Sequence, residues 1–286
     1  MDNTIQLRTF VRSGASIYIA RISEVSIRPD PSSGQVVALK LEIKQTLWGE
    51  AGTAIRRSEF TQPDDETARL KFPHPLWGRV DPREGAVVFL VTHELSDVSA
   101  GPVYVEEIDG ANDAVLAEIK KVLGEEKVEE EPSARSARYL TYLTEGGVVE
   151  KLFGAESLAK DLGNLEADQT DQIAVAMAAV FGGSGSVYVR LSVGTWMCEN
   201  IYPRAGLAGK TAVINAALKG LEDASEDIRR YSLNFVANID AAAVGQPGVA
   251  SSQASILVLQ RRLSGETDPE IRDRFENLVN ALKGIA

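Results

Sequence analysis

The chain has 286 residues and a net charge of −11 at neutral pH. This acidic balance opposes non-specific binding to nucleic acid, which needs clustered lysine and arginine side chains against phosphates. Cys198 is the single cysteine, so an intrachain disulfide and a multi-cysteine metal site are excluded. No apolar run approaches membrane-spanning length, and Met1–Thr4 lacks the basic and apolar regions of a signal peptide. We therefore expect a soluble protein, either cytoplasmic or exported after a signal peptide has been removed.

Residues 1–110 carry β-strand patterns. In the clearest one, Gln35–Leu47, apolar residues at 37, 39, 41 and 43 alternate with mostly polar ones, so one face is buried and the other solvated. Ala86–Thr92 is apolar on both faces and predicts a central strand. The apolar face of the first pattern consists of Val37, Leu39, Leu41 and Ile43, and the other predicted strands are Ser16–Ile27, Thr53–Thr61 and Pro102–Ile108. Five or six short strands predict a small antiparallel β-barrel or sandwich.

Three sequence segments in this region occur in the order found in a known kind of domain: S-I-Y-I-A-R-I-S-E-V, V-A-L-K-L-E-I-K-Q-T-L-W-G-E and R-E-G-A-V-V-F-L-V. In this order they resemble bacterial domains of the netrin or metalloprotease-inhibitor kind. The resemblance implies a barrel of the oligonucleotide-binding type. Inhibitors of that kind coordinate a protease metal with an N-terminal cysteine, and no cysteine occurs near this N-terminus. The inhibitory activity is therefore not implied.

A single amphipathic helix and a charged segment follow the strands. The helix is predicted at Asn112–Gly124, and the acidic run Glu125–Pro132 ends in proline. The run is interpreted as a solvated connector, with an acidic docking site as the alternative. We therefore predict a β-domain at 1–110, a helix and linker at 111–132 and an all-α domain at 133–286.

The C-terminal part contains a repeated pattern of a capped acidic first turn, an Ile-Arg pair and apolar residues at helical spacing. The two clear copies are Ser225–Ile239 and Asp268–Leu282, and a weaker one begins at Val189. Their apolar ladders are Ile228, Phe235, Val236 and Ile239, then Ile271, Leu278, Val279 and Leu282, then Val189, Trp196 and Met197. The intervals between copies are 39 and 43 residues. Between them lie the predicted partner helices Thr170–Phe181, Lys210–Leu221 and Gln253–Leu263.

With Glu226–Arg229, Pro269–Arg272 and the ladders that follow them, the region from about Ser133 to Ala286 resembles HEAT-repeat proteins. The resemblance implies a solenoid of stacked helix pairs and a tendency to bind protein partners, but no particular reaction. It also implies that Arg229 and Arg272 pair with acidic residues near the repeat turns, for which Asp223, Asp227 and Asp268 are available.

The sequence contains few residues in patterns typical of catalytic or metal-binding sites. His74 and His93 are the two histidines, and neither has metal-ligand spacing or a nearby nucleophile. The carboxylates of Asp64–Glu66 lie in a polar stretch and are interpreted as a solvated turn. Cys198 is interpreted as a buried, inert thiol. We predict no catalytic residue, no metal and no cofactor.

Two surfaces are predicted to contact a partner. The outer side of the repeat helices presents side chains of mixed charge, namely Arg230, Asn234, Asn238, Asp273, Arg274 and Asn277. The loop from Phe72 to Trp77 places large apolar side chains between prolines. This loop either docks on another protein or packs on the barrel or the solenoid.

The sequence is compatible with two functions of different classes. The favoured one is a non-enzymatic adaptor that holds a protein or peptide through its helical repeats. The alternative is a hydrolase-type enzyme with a site between the two domains that uses His74 or His93. An oligonucleotide binder is disfavoured, because residues 1–110 contain 12 basic against 16 acidic side chains. Convergent histidine, carboxylate and hydroxyl groups in one cleft would favour the enzyme.

Overall fold

The structure is a computed structural model, and it describes residues 7–30, 34–49, 55–62, 84–92, 104–108, 113–160 and 167–285. An N-terminal antiparallel sheet is followed by a mostly helical region, so the chain is an α+β protein. Its internal contacts divide it into two compact units, Met1–Glu129 and Glu130–Ala286.

The first unit contains five antiparallel strands in the order β3-β2-β1-β4-β5. The strands are β1 (Ser16–Asp30), β2 (Gly34–Trp48), β3 (Ile55–Gln62), β4 (Val87–Thr92) and β5 (Tyr104–Glu107). The helix α1 (Leu7–Arg12) precedes them and α2 (Asp113–Glu126) follows them. Each predicted strand is present, and β4 has a neighbour on both sides, as its two apolar faces predict.

One face of the sheet forms an apolar cluster. Leu39 and Leu41 of β2 are almost completely buried there, and Ile43 is 8% exposed. The side chain of Val37 lies outside the described residues. The other members of the cluster come from β1 and from the start and middle of β4: Tyr18, Ala20, Ile22, Ala86, Val88 and Leu90. On the opposite side of β4, Phe89 and Val91 are also buried. The predicted alternation of β2 and the two-sided burial of β4 are thus confirmed.

The second unit is built from helices. Eight α-helices are described there: α3 (Pro132–Glu145), α4 (Val148–Lys160), α5 (Ala167–Phe181), α6 (Val187–Trp196), α7 (Leu207–Gly220), α8 (Glu226–Ala237), α10 (Gln253–Gly265) and α11 (Pro269–Ile285), with the single-turn α9 (Ala241–Val244) between α8 and α10. A π-helical turn, Met197–Ile201, and a 3-10 turn, Tyr202–Arg204, extend α6. The predicted partner helices correspond to α5, α7 and α10.

The long helices pack as successive pairs. Within the pairs, α3 contacts α4, α5 contacts α6, α7 contacts α8 and α10 contacts α11. Between the pairs, the first helices form one series, in which α3 contacts α5 and α5 contacts α7. The second helices form another, in which α4 contacts α6, α6 contacts α8 and α8 contacts α11. Each pair therefore covers the apolar side of the next.

Hydrogen bonds from backbone to side chain join neighbouring pairs at two places. Asp171 of α5 accepts a 2.6 Å hydrogen bond from the backbone N–H of Gly206, just before α7. Asn215 of α7 accepts a 2.7 Å hydrogen bond from the backbone N–H of Ala250, just before α10. Donor and acceptor are 35 residues apart in both cases, and the second bond lies 44 residues further along the chain. At both interfaces a side chain of a first helix thus accepts a backbone N–H from the segment before the next pair.

The buried ladders of the second helices agree with most of the predicted register and correct three positions, one of which is Trp196, which is half-buried. Val236 and Leu278 are buried as predicted, whereas Phe235 is only half-buried, with its ring packed edge-on against Tyr202 at 5.3 Å. Ile271 is 36% exposed, because the whole first turn of α11 is exposed. The first buried side chain of that helix is instead Phe275.

The acidic connector contains ordered polar contacts. Lys127 donates a 2.9 Å hydrogen bond to the carbonyl oxygen of Leu47, and its ammonium group lies 5.9 Å from the centre of the Trp48 ring. Glu130 accepts a 3.0 Å hydrogen bond from Arg138 within the second unit. The interpretation of this run as a purely solvated connector is therefore incomplete: its first part is bonded to the sheet and its last part to α3.

Candidate functional site

The predicted partner-binding residues of the repeat helices lie on the surface. All six are exposed: Arg230, Asn234 and Asn238 on or just after α8, and Asp273, Arg274 and Asn277 on α11. Because α8 and α11 are in contact, the structure brings these two groups onto neighbouring helices. Phe72 and Trp77 lie outside the described residues, as do His74 and His93, so the predictions for them stay predictions.

The two exposed groups are built alike. Arg230 forms a 2.7 Å ion pair with Glu226 one turn earlier in α8. Arg274 forms the same 2.7 Å ion pair with Glu270 in α11. Each pair lies across one helical turn and is exposed, so it stabilises the helix by only about 0.3–0.5 kcal/mol. These side chains can therefore exchange an internal partner for an external one at low cost.

A buried arginine joins two helix pairs. Arg190 of α6 is 5% exposed, and its Nε donates a 2.7 Å hydrogen bond to the carbonyl oxygen of Phe181. Its two terminal nitrogens bond the two carboxylate oxygens of Asp223, in the turn between α7 and α8. These hydrogen bonds from Arg190 hold the pKa of the Asp223 carboxyl below its ordinary value, although partial burial acts in the opposite direction.

Arg229 makes a different contact from the one implied by the resemblance. It bonds the carbonyl oxygens of Asp223 and Ala224, at 2.7 and 2.8 Å, instead of a carboxylate. The acidic partner expected for it is used by Arg190 from the preceding helix pair. Arg272 is exposed in the first turn of α11.

The basic residue and the acidic turn residue recur with a fixed spacing. In three helix pairs an acidic residue precedes the basic residue by six positions: Glu145 and Lys151, Asp223 and Arg229, and Glu266 and Arg272. In the remaining pair, Arg190 is preceded at that distance by Ser184. Successive basic residues are 39, 39 and 43 positions apart, which equals the repeat intervals. Lys151 is thus the counterpart of Arg190 in the first pair, and Ser184 is the counterpart of Asp223 in the second.

A cavity lies where the first two helix pairs meet near their turns. Its volume is about 440 Å³. Its walls are mostly apolar and small, with polar groups at Lys151 and in the turn that precedes α6. The lining residues are Thr144, Gly147, Val148 and Lys151 from the first pair, with Ala176, Ala179, Val180, Gly183, Ser184, Gly185, Ser186, Val189 and Arg190 from the second.

Cys198 is unreactive in its surroundings. Burial, together with the nearby Glu199 carboxylate, raises the pKa of the thiol to about 12, despite an opposing hydrogen bond with Tyr231. The thiol is therefore protonated at neutral pH and is not a nucleophile. The raised pKa agrees with the prediction of an inert thiol, but Cys198 is half-buried and not fully buried as predicted.

Within the part of the chain that the structure describes, no group of three or more His, Cys, Asp or Glu side chains could hold a metal ion. Among its helices, none is long and apolar enough to cross a membrane. Comparison with known proteins found no matching family model, no matching curated protein and no matching solved structure.

The sequence alone did not predict the cavity or the positions of Lys151 and Ser184 in its lining. The signal was present in the six-residue spacing of acidic and basic residues, because the substitution of serine at 184 interrupts it. The interruption points to a site only once the structure shows that Arg190 and Asp223 join neighbouring helix pairs.

Proposed function

We propose that the chain is a non-enzymatic adaptor, in which a small antiparallel β-barrel precedes a HEAT-like helical solenoid that binds a protein or peptide. The observation that carries the proposal is the stacking of successive helix pairs in two series, with hydrogen bonds from the backbone before two of the pairs to a side chain of the preceding pair. Stacked pairs share a continuous core and leave extended outer surfaces, which repeat proteins use to hold partners.

The strand order supports the barrel part of the proposal. The order β3-β2-β1-β4-β5 is that of a five-stranded ring opened between β3 and β5. β1 is long enough to pair with β2 along its whole length and with β4 through its first half, which is how a strand passes around a small barrel. Shifts in the β1–β2 register at three places supply the bends that closure needs.

The exposed side chains of α8 and α11 support the choice of partner. They comprise two arginines, three asparagines and one aspartate on two helices in contact, with no exposed large apolar cluster among them. Such a surface suits a polar peptide or protein segment that forms hydrogen bonds and ion pairs, more than an apolar ligand.

The test uses arginine substitutions that add bulk to this surface and leave its ion pairs in place. The partner is captured from the source organism with the intact chain, identified by mass spectrometry and purified, and its affinity is measured by calorimetry. The combined variant Asn234→Arg and Asn277→Arg is expected to weaken binding at least tenfold, which corresponds to about 1.4 kcal/mol.

The matched control is Gln172→Arg, an exposed amide-to-arginine change on α5 in the other helix series. It should leave the affinity unchanged. Equal affinity for wild type and the combined variant would exclude the α8–α11 surface. Catalytic turnover that is lost on replacing His74 or His93 with alanine would replace the adaptor with the enzyme alternative.

A further inference from the structure

The cavity between the first two helix pairs lies where the repeat pattern places an ion pair. At the next interface, Arg190 of one pair binds the Asp223 carboxylate in the following turn. At this interface the counterpart of Arg190 is Lys151, but the counterpart of Asp223 is Ser184, which carries no charge. Lys151 and Ser184 both line the cavity. A carboxylate is therefore missing from the position that corresponds to Asp223 at the next interface.

Lys151 lines the cavity, and its amino group keeps hydrogen-bonding capacity. It donates to the carbonyl oxygen of Gly146 and forms no ion pair with a described carboxylate. The neighbouring carboxylate of Glu150 is buried and accepts a 3.0 Å hydrogen bond from the backbone N–H of Gly147. An ammonium group has three donors, so two remain for a ligand. Across the cavity, Ser184 and Ser186 form no side-chain hydrogen bond with the described residues, and their hydroxyl groups are further donors.

The remaining residues of the cavity wall favour an apolar ligand group. Ala176, Ala179, Val180 and Val189 present methyl groups, and the glycines of the turn before α6 leave the space open. A volume of about 440 Å³ lies at the small end of ligand cavities, which span roughly 300–1,000 Å³. It accommodates a branched aliphatic group of a few carbons together with its carboxylate.

We propose that this cavity binds a monocarboxylate with a compact aliphatic body. The carboxylate takes the place beside Lys151 that the Asp223 carboxylate takes beside Arg190. The aliphatic group packs on the alanine and valine side chains. The same chemistry is presented by a free branched-chain acid and by the C-terminal residue of a peptide that ends in leucine. The site is separate from the α8–α11 surface and does not depend on it.

Calorimetry with matched probes tests the proposal on the intact chain. The probes are 4-methylpentanoate, 4-methylpentanamide, and the peptide Gly-Gly-Ser-Leu with a free or an amidated C-terminus. Each carboxylate is expected to bind at least tenfold more tightly than its amide, because the amide cannot form the ion pair with Lys151. A peptide that binds tenfold more tightly than the free acid assigns the ligand to a protein C-terminus, whereas equal binding assigns it to a small molecule.

Two variants connect the binding to the cavity. Lys151→Met keeps the length of the side chain and removes the charge, and it should reduce carboxylate affinity at least tenfold. Ser184→Asp restores the acidic residue of the repeat and should compete with the ligand for Lys151, with a similar loss. Lys283→Met, on the exposed side of α11, is the matched control and should bind as the wild type does.

Three results would overturn the proposal: equal binding of acid and amide, full affinity in Lys151→Met, or no binding of either carboxylate at concentrations up to about 10 mM. If Ser184→Asp fails to fold, the acid–amide comparison and Lys151→Met still decide the question.

Discussion

At the scale of single residues, Arg190 connects more structural elements than any other side chain described above. It bonds the end of α5 through the Phe181 carbonyl oxygen and the turn before α8 through Asp223. Its side chain is 7% exposed and that of Asp223 is 18% exposed. A charge that is this well buried depends on its partner, because the unpaired guanidinium group would lose its solvation without compensation.

We predict that Asp223→Asn lowers the free energy of unfolding by about 2–4 kcal/mol at pH 7. The pKa of Asp223 is lowered in the folded state, chiefly by the hydrogen bonds from Arg190. Its stabilising effect is therefore complete above the ordinary pKa of 3.8 and is lost as the pH falls through the folded-state value. Urea denaturation at pH 7 and in the acid range should show the gap between wild type and variant narrowing at low pH. A gap that widens on acidification would contradict the assignment.

Cys198 supports a second prediction at this scale. Since the pKa of its thiol is raised to about 12, only about one molecule in ten thousand carries the thiolate at pH 8. Ellman's reagent should label the native chain far more slowly than the urea-unfolded chain, in which the thiol pKa returns to about 8.5. Equal labelling rates in the two states would contradict the protected environment described for the Cys198 thiol.

At the scale of elements, hydrophobic periodicity predicts which segments are helices better than it predicts which side chains are buried. The repeat helices are found near their predicted bounds, but Phe235 and Ile271 are less buried than their pattern indicates. A periodic pattern defines a face, whereas burial also depends on what the neighbouring helix presents. Glycine is required at position 220, because a Cβ there would lie 2.0 Å from the hydroxyl oxygen of the buried Ser232. This close helix approach leaves no sign in the spacing.

The corrected register leads to a prediction on α11. Leu278 is 1% exposed and belongs to the apolar cluster of the last pairs, so Leu278→Ala should cost about 2–5 kcal/mol through lost burial and a residual cavity. Ile271→Ala, the matched control in the same helix, should cost less than about 1 kcal/mol, because that side chain is 36% exposed. Urea denaturation of both variants gives the comparison. A similar loss of stability in both variants would show that Ile271 contributes to the core as Leu278 does.

At the scale of the whole molecule, the α+β class and the order of strands before helices are predictable from the sequence, because both depend on local periodicity. The pairing of β1 with β4 and the contact between Arg190 and Asp223 are not, because they join positions far apart in the chain. The helix α2 also illustrates the limit. Its amphipathic face is evident from the sequence, but its place among residues Met1–Glu129 is a matter of long-range contacts.

The two units each have an apolar cluster of their own, one on the sheet and one among the later helix pairs. We predict that fragments 1–129 and 130–286 each fold when expressed alone and unfold cooperatively on heating. Circular dichroism should show a β-type spectrum for the first and a helical spectrum for the second, each with a sigmoidal melt. A fragment that melts without a cooperative transition would show that its core is incomplete.

The contact between Arg190 of one helix pair and Asp223 in the turn of the next predicts that Lys151 faces position 184 in the same way at the preceding interface. A double-mutant cycle at the interrupted position tests it most directly, with urea denaturation of wild type, Ser184→Asp, Lys151→Met and the combined variant in the absence of ligand. The repeat register predicts that Ser184→Asp raises the free energy of unfolding by about 0.5–1 kcal/mol when Lys151 is present, and that the gain vanishes when Lys151 is methionine. The same change in stability in both backgrounds would contradict the register.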